Sequence, residues 1–272
     1  MLTASIVLYH TPFAQIESVV KSVMNSACVE TLYVIDNSPT TENKLFFSRY
    51  DSIEYISHCN TGYGSSHNIA LLKCFNKGSD YHVILNPDIY FDSHVLSELI
   101  KYMDKNTDVG YILPKVVYPN GELQYLCKLL PTPFDLIFRR FLPKTRKIIQ
   151  LNEKYELRHS GYDRIINPPC LSGCFMFMRI STLKEHNILF DDSFFMYCED
   201  FDLIRRIHRV AKTLYYPNVT IVHNHAKESY KNKKMLKIHI KSAIRYFNKY
   251  GWIFDMERKR FNKQILDEIN SL

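Results

Sequence analysis

Four short stretches concentrate the side chains able to do chemistry: Asp36-Asn37-Ser38, Asn60–Asn68, Asn86-Pro87-Asp88 and Glu199-Asp200-Phe201-Asp202, with His223 further on. Pro87 forces Asn86 into extended backbone, which fixes where the Asp88 carboxylate points. A hard divalent cation takes oxygen ligands of this kind, usually with phosphate oxygens completing its shell. An ordinary turn or N-cap role for Asp88 is equally open at this point. Gly62 and Gly64 precede a helical pattern, so their loop can aim backbone N–H groups and a helix dipole at an anion. The stretch matches neither GxGxxG nor GxxxxGK[ST], and turn geometry alone would also explain the glycines. Glu199, Asp200 and Asp202 open a helical pattern after the aromatic run Phe194-Phe195-Met196-Tyr197. They read either as caps complementing the dipole or as partly desolvated carboxylates of raised pKa, suited to general-base work. His223 reads as a satisfied packing residue or as one member of an oxygen-rich metal shell.

The elements that must position these groups are legible from periodicity. Thr3–Tyr9, Thr31–Ile35, Ile53–Ile56 and Tyr81–Leu85 are strand-like runs. Phe13–Asn25 and Ser65–Phe75 carry helical spacing between them, and Asp92 or Ser93 caps a helix through Met103. This alternation predicts an α/β fold, a mostly parallel sheet with helices on both faces. In such a sheet ligands bind at the carboxyl ends of the strands, and all four candidate strands deliver polar residues there: Tyr9-His10, Asp36-Asn37, the Gly62–Asn68 loop and Asn86–Asp88. Beyond them the spacing predicts a hairpin from Val109–Val117 through Pro119-Asn120-Gly121, an apolar strand over Cys170–Met178, a helix over Glu199–Val210, a strand over Val219–His223 and a basic amphipathic helix over Lys231–Tyr250.

Composition sets the outer limits. With 272 residues, 46% of them apolar and 23% charged, the chain buries a real core and is not disordered. The net charge of +7 is unevenly placed: Lys227–Lys263 holds 12 Lys and Arg against 3 Asp and Glu, a net of +9, which leaves −2 for the remainder. The basic character therefore belongs to one segment and points to a localised anionic partner. No segment reaches the roughly 20 apolar residues that span a bilayer, and no signal peptide is read at the N-terminus. The seven cysteines are scattered, odd in number and without a CxxC pair, as expected of reduced thiols in a cytoplasmic protein.

Taken in order, Tyr9-His10, Asp36-Asn37-Ser38, Asn60-x-Gly62-Tyr63-Gly64-x-x-x-Asn68, Asn86-Pro87-Asp88, Leu171-Ser172-Gly173-Cys174, Phe194–Arg205 and His223 resemble the inverting glycosyltransferases of family 2, which have a Rossmann-like GT-A fold. The Asn-Pro-Asp form is most similar to the rhamnosyltransferase branch that builds O-antigen and related lipopolysaccharide. The resemblance covers roughly residues 3–250. It implies a catalytic domain over 1–225, with a nucleotide-sugar half at 1–105 and an acceptor half at 106–225, followed by a basic helical extension over 226–272.

The resemblance also implies roles. Asp36 would bind the nucleobase, and Tyr9, Asn37, Gly62, Tyr63, Gly64, Asn68 and Asn86 would hold base, ribose and diphosphate. Asp88 corresponds to the last acid of the family's DxD motif. Because Asn86 replaces the first acid, one carboxylate is left for a divalent metal ion (Mg²⁺ or Mn²⁺), with His223 near it and the requirement for metal weakened. Gly173, Cys174 and Asp202 would line the sugar pocket, and Asp200 would be the catalytic base with Glu199 beside it. The implied reaction moves a sugar, best L-rhamnose from dTDP-β-L-rhamnose, to a hydroxyl of a polyprenyl-diphosphate-linked saccharide. A UDP-hexose, UDP-galactofuranose or UDP-HexNAc donor is the alternative. The basic helix and the segment Phe134–Ile149, with Arg139, Arg140, Lys144, Arg146 and Lys147, would meet the anionic cytoplasmic face of the inner membrane. A nucleic-acid-binding role is disfavoured, because it leaves Asp36, Asp88, Glu199 and Asp200 unexplained and acids repel phosphate.

Overall fold

The computed structural model describes residues 1–40, 42–138, 142–143, 145–224 and 233–271. Arg139, Arg140 and Lys144, and the first two residues of the expected basic helix, lie outside the described residues. Strands β1 (Leu2–Leu8), β2 (Val29–Asp36), β3 (Ile53–Ser57) and β4 (Tyr81–Leu85) run parallel in the order β3-β2-β1-β4. Every residue of β1 and β4 is buried. That is why their sequences do not alternate apolar with exposed polar residues, and why the polar Thr3, Ser5 and His82 within them are buried too. Helices α1 (Phe13–Asn25), α2 (Lys44–Phe47) and α3 (Tyr63–Lys77) connect them.

The second half extends this sheet to eight strands among the described residues. After β5 (Ile89–Phe91) and α4 (His94–Lys105) come β6 (Val109–Val117), α5 (Arg146–Tyr155), β7 (Phe175–Arg179), α6 (Ile180–Glu185), α7 (Glu199–His208) and β8 (Lys212–His223). β7 runs antiparallel between β4 and β6, β6 is parallel to β8, and β5 closes the edge antiparallel to β8. Two registers bring distant polar residues to one rim. Leu85 pairs with Phe175, so β4 ends where β7 begins. Ile89 pairs with His223, so β8 ends beside Asp88.

Three expectations need correction. Only Phe175–Met178 of the expected Cys170–Met178 strand is strand: Cys170 makes an isolated bridge to Lys128, and the chain turns at Gly173-Cys174 before entering β7. The Pro119-Asn120-Gly121 turn exists, with Gly121 N–H donating to Tyr118 O at 2.9 Å. Its return arm makes a single bridge, Val117 to Leu123, rather than a hairpin. β8 begins seven residues before Val219: the register slips between Pro114 and Lys115, which lets Pro217 pass through a strand that a proline would otherwise stop.

Beneath the donor side of the sheet lies a buried polar chain. Thr3 Oγ1 is 2.8 Å from His82 Nδ1, His82 Nε2 is 2.8 Å from Ser5 Oγ, and Ser5 Oγ is 2.8 Å from His67 Nδ1. Burial lowers the His82 pKa to about 3 and holds His67 well below its ordinary value. Both imidazoles are therefore neutral in the folded protein and take a proton on unfolding. The stability they confer is present above pH 6.5 and is lost as pH falls toward the folded-state values. For His82 alone the expected loss between pH 7 and pH 5 is on the order of 2 kcal/mol. Urea unfolding at the two pH values measures it, and an unchanged slope in the His82→Asn variant would contradict the assignment.

The C-terminal helices α8 (Lys233–Tyr250) and α9 (Met256–Ser271) pack on this body. Ala243, Tyr246 and Phe247 of α8 form a core with Leu136, Phe194 and Cys198, while Phe261 of α9 packs with Leu130 and Cys170.

Candidate active site

The parallel strand ends deliver the first group of residues. Asp36 is wholly buried: its Oδ1 accepts from Ser38 N–H at 2.9 Å and its Oδ2 from the Tyr55 hydroxyl at 2.8 Å. Asn37 donates from Nδ2 to Ser66 Oγ at 2.7 Å, and Ser66 donates on to Gly62 O at 2.7 Å. The end of β2 is thereby tied to the start of α3. The buried Asn37 Oδ1 has no hydrogen-bond partner among the described residues. Tyr9 stands exposed at the end of β1 with its ring edge-on to His10 at 4.5 Å.

The glycine loop is built for packing as well as for approach. Gly62 sits at φ +116°, and a Cβ there would lie 2.5 Å from Phe195 O. The N–H of Tyr63 already donates to that same carbonyl at 2.9 Å. The start of α3 is therefore held against the 190–195 segment, and this N–H is not offered to a phosphate. Asn68 is engaged in the same way. Its Oδ1 accepts from Phe190 N–H at 2.9 Å, and its Nδ2 donates to Phe190 O at 2.9 Å and to Asp192 Oδ1 at 2.8 Å. The structure gives Asn68 to the loop rather than to an open donor cleft.

Tyr63 turns its side chain inward to the junction of β4 and β7. Its hydroxyl donates to Asn86 Oδ1 at 2.9 Å and approaches Gly173 O at 3.2 Å. Asn86 N–H donates to Cys174 O at 2.9 Å. Tyr111, which the sequence did not single out, braces the same turn by donating to Ser172 O at 2.9 Å and lying 3.2 Å from Phe175 O.

Two acid centres flank the dipeptide Gly173-Cys174. On one side, Asp88 Oδ1 is 3.3 Å from His223 Nε2. Gln124 orients the imidazole, with its Oε1 at 3.1 Å from Nδ1 and its Nε2 donating to His223 O at 2.7 Å. Burial opposes the imidazolium, but the Cys174 sulfur and the Asp88 carboxylate outweigh it and raise the His223 pKa to about 10. On the other side, Gly173 N–H donates to Asp200 Oδ2 at 3.0 Å, and Phe201 N–H donates to Asp200 Oδ1 at 2.9 Å. A Cβ on Gly173 would sit 2.8 Å from Asp200 Cβ, so only glycine permits this approach.

Asp200 and Glu199 divide one charge. Burial raises both carboxyls, and the Asp200 charge raises Glu199 further. The two N–H donors favour the ionised form of Asp200, whereas the buried Glu199 Oε2 has no hydrogen-bond partner among the described residues. The proton belongs on Glu199 and the charge on Asp200. Both acids follow Tyr197 and Cys198, which are left-handed at φ +68° and +66°. Consecutive non-glycine residues in that region are strained backbone, and strain of this kind gathers at functional sites.

Asp202 does not join them. It is fully buried, its Oδ2 accepts from Arg206 Nε at 2.9 Å and Nη2 at 2.7 Å, and its Oδ1 accepts from the Tyr250 hydroxyl at 2.6 Å with Lys249 Nζ also at 2.6 Å. It is a structural ion-pair node, not a wall of the sugar pocket. A cavity of about 630 Å³ at the opposite end of the sheet, lined by Met1, Asp80, Tyr81 and Arg179 among others, contains none of these site residues.

With respect to a divalent ion, the donor set is one carboxylate and one imidazole. Among the described residues no group of three or more His, Cys, Asp and Glu side chains could hold an ion by itself. Asp88 fits an ion whose remaining ligands are phosphate oxygens and water; His223, held as the imidazolium beside it, joins the set only on losing its proton, and the two do not make a closed protein site.

The sequence profile of Glycosyl transferase family 2 matches residues 5–186. The chain belongs to glycosyltransferase family 2. Rhamnosyltransferase WbbL of Escherichia coli (strain K12) is 29% identical over 226 residues, covering 79% of this chain and 81% of that relative. Among solved structures, S. aureus TarS 1-349 in complex with UDP-GlcNAc aligns over 100% of this chain and 73% of that chain, with TM-score 0.62 and 13% identity. Mannosyltransferase PcManGT from Pyrobaculum calidifontis, in complex with GDP-Man and Mn²⁺, aligns over 90% of this chain and 64% of that chain, with TM-score 0.57 and 15% identity. The mixed, mostly parallel sheet with its flanking helices is thus a GT-A-like glycosyltransferase fold, as the ordered motifs implied.

Proposed function

We propose that this family 2 enzyme transfers an L-rhamnosyl group from dTDP-β-L-rhamnose to a hydroxyl of a lipid-linked saccharide, with inversion at the anomeric carbon. The observation that carries the reading is the pair of acid centres on either side of Gly173-Cys174. Asp88 and His223 face the position of the leaving diphosphate. Asp200 faces the acceptor, its carboxylate oriented by Gly173 N–H and kept ionised while Glu199 holds the neighbouring proton. The acceptor hydroxyl loses its proton to Asp200 as it attacks, and the bond to the diphosphate breaks on the opposite face of the sugar. A single in-line displacement needs no enzyme nucleophile. Nucleobase recognition falls to the Asp36–Asn37 end of β2, where Asn37 Oδ1 has acceptor capacity to spare. Asp88, joined by His223 once that imidazolium gives up its proton, would hold a divalent ion, which when bound offsets negative charge on the diphosphate.

Rhamnosyl specificity is supported by the 29% identical rhamnosyltransferase, which aligns over most of this chain. The test is donor hydrolysis and transfer across dTDP-, UDP- and GDP-sugars, with and without EDTA. dTDP-rhamnose is expected to exceed every UDP- and GDP-sugar by at least about tenfold in kcat/KM. Equal or greater turnover of a UDP-hexose or UDP-HexNAc would overturn the donor assignment. Chelation is expected to reduce the rate without abolishing it.

A further inference from the structure

The turn between α8 and α9 pushes apolar side chains into solvent. Ile253 is 77%, Phe254 88% and Met256 76% exposed, and Trp252 beside them is 39% exposed. The turn is firmly built. Gly251 at φ +104° makes the bend, and a Cβ there would collide with Phe254 O. Gly251 N–H donates to Phe247 O at 2.8 Å, Trp252 Nε1 to Asn248 Oδ1 at 2.8 Å, and Arg258 Nη2 to Ile253 O at 3.1 Å. The fold therefore holds these side chains outward on a fixed support. Large apolar groups kept together in water mark a surface that meets something else.

The neighbouring face of α8 identifies the partner by charge. α8 contains no acidic residue. Its outward side carries Lys233, Lys234, Lys237, Lys241 and Arg245, while Ser242, Ala243, Tyr246 and Phe247 face the core. Steps of three and four residues align Lys234, Lys237, Lys241 and Arg245 in a stripe that continues through Asn248 to Trp252. Lys249, off this stripe, is instead tied to Asp191 and Asp202. A second apolar side chain, the exposed Phe138, projects from the turn whose Leu136 O is 3.1 Å from His239 of α8. A second copy of this chain seated on the same face would set two cationic stripes against each other, which is unfavourable. A bilayer with anionic headgroups satisfies both halves of the surface: the apolar tip enters the headgroup–acyl boundary and the cations lie on phosphates.

We propose that Trp252, Ile253, Phe254 and Met256 insert into an anionic lipid bilayer and, with the cationic stripe of α8, seat the enzyme on it. The proposal deepens the lipid-linked-acceptor reading, and its use to the enzyme rests on that reading. α8 packs through Ser242, whose hydroxyl donates to Met196 O at 2.7 Å, against the segment leading to Glu199 and Asp200. Seating α8 thus brings the catalytic-base side of the sheet close to the membrane plane.

Trp252 is the chain's sole tryptophan, so its fluorescence reports on the turn directly. Sedimentation and fluorescence are measured with vesicles of equal parts phosphatidylcholine and phosphatidylglycerol, and with phosphatidylcholine alone. Binding with a blue shift is expected for the anionic vesicles and little binding for the neutral ones. Ile253→Ser with Phe254→Ser is expected to weaken binding at least about tenfold. Lys237→Gln with Lys241→Gln is expected to weaken it roughly 10–30-fold at low salt and little at high salt. Unchanged binding by the first variant, or no blue shift, overturns the proposal. So does a wild-type dimer that this variant dissociates, which would make the patch a self-association surface. Donor hydrolysis in solution is read on the same samples. Normal hydrolysis with failed vesicle binding rejects only the membrane proposal, and absent hydrolysis with intact vesicle binding rejects only the donor reading.

Discussion

Replacing Asp200, the proposed base, by Asn is expected to lower turnover by about 10²–10⁴-fold while leaving nucleotide-sugar affinity within a few-fold of wild type. The substitution is isosteric. Its carboxamide oxygen can keep the Gly173 N–H bond of 3.0 Å, so the turn that also carries Cys174 stays in place. What is lost is the ability to accept a proton from the attacking hydroxyl. Neither neighbouring acid takes its place: burial and the Asp200 charge push the Glu199 carboxyl well above the usual range, and Asp202 is consumed by Arg206, Tyr250 and Lys249. Steady-state kcat with the preferred donor and calorimetric donor binding separate the two effects. A kcat near wild type would remove Asp200 from the base role. The wild-type pH profile carries the same information. Burial raises the Asp200 pKa above the ordinary carboxylate range, and its N–H donors offset part of that rise. Turnover should therefore increase with pH through a limb shifted upward from that range, and this limb should be absent from the residual activity of Asp200→Asn.

How far the sequence foretold this site depends on where each residue's partners lie. Asp36, Asn86, Asp88 and His223 were legible because a parallel sheet collects its strand ends on one rim, so position after a strand is itself spatial information. Asp200 and Asp202 looked alike as letters in one acidic run. Two residues along a helix are about 200° apart, so one acid meets Gly173 and the other faces the C-terminal helices. Asn68 shows the opposite limit: its partners Phe190 and Asp192 lie more than a hundred residues away, and no local pattern announces them. The same holds for Tyr55 on Asp36, Gln124 on His223 and Tyr111 on the 172–175 turn. Cys170–Met178 was read as strand throughout because an apolar run reports burial and not register. The antiparallel pairing of β7 between β4 and β6, which the register decides, is what brings Gly173 to the end of β4.

Truncating Arg205 to Ala should destabilise the protein by about 3–5 kcal/mol, the range seen when one member of a buried ion pair is removed. Arg205 sits on α7 with its side chain only 1% exposed. Its Nη2 and Nη1 donate to the two oxygens of Asp255 at 2.6 and 2.8 Å, its Nε to Glu257 at 2.6 Å, and its guanidinium lies 4.0 Å from the centre of the Tyr250 ring. Asp255 is 3% exposed, so the truncation strands a carboxylate in the interior. Lysine should restore little, because a point charge cannot serve both Asp255 oxygens and Glu257 at once. Arg205→Met combined with Asp255→Leu should recover much of the loss, since no buried charge is then left unpaired. Urea unfolding of the three variants tests this, and a loss below about 1 kcal/mol in Arg205→Ala would contradict it. The network reaches further than stability. Asp255 lies between the Gly251 bend and the start of α9, and α7 begins at Glu199 and Asp200. One guanidinium therefore couples the helix bearing the proposed base to the turn proposed to enter the bilayer. Arg205→Lys should accordingly weaken vesicle binding and donor hydrolysis in solution together, whereas Ile253→Ser with Phe254→Ser should weaken vesicle binding and leave donor hydrolysis in solution intact.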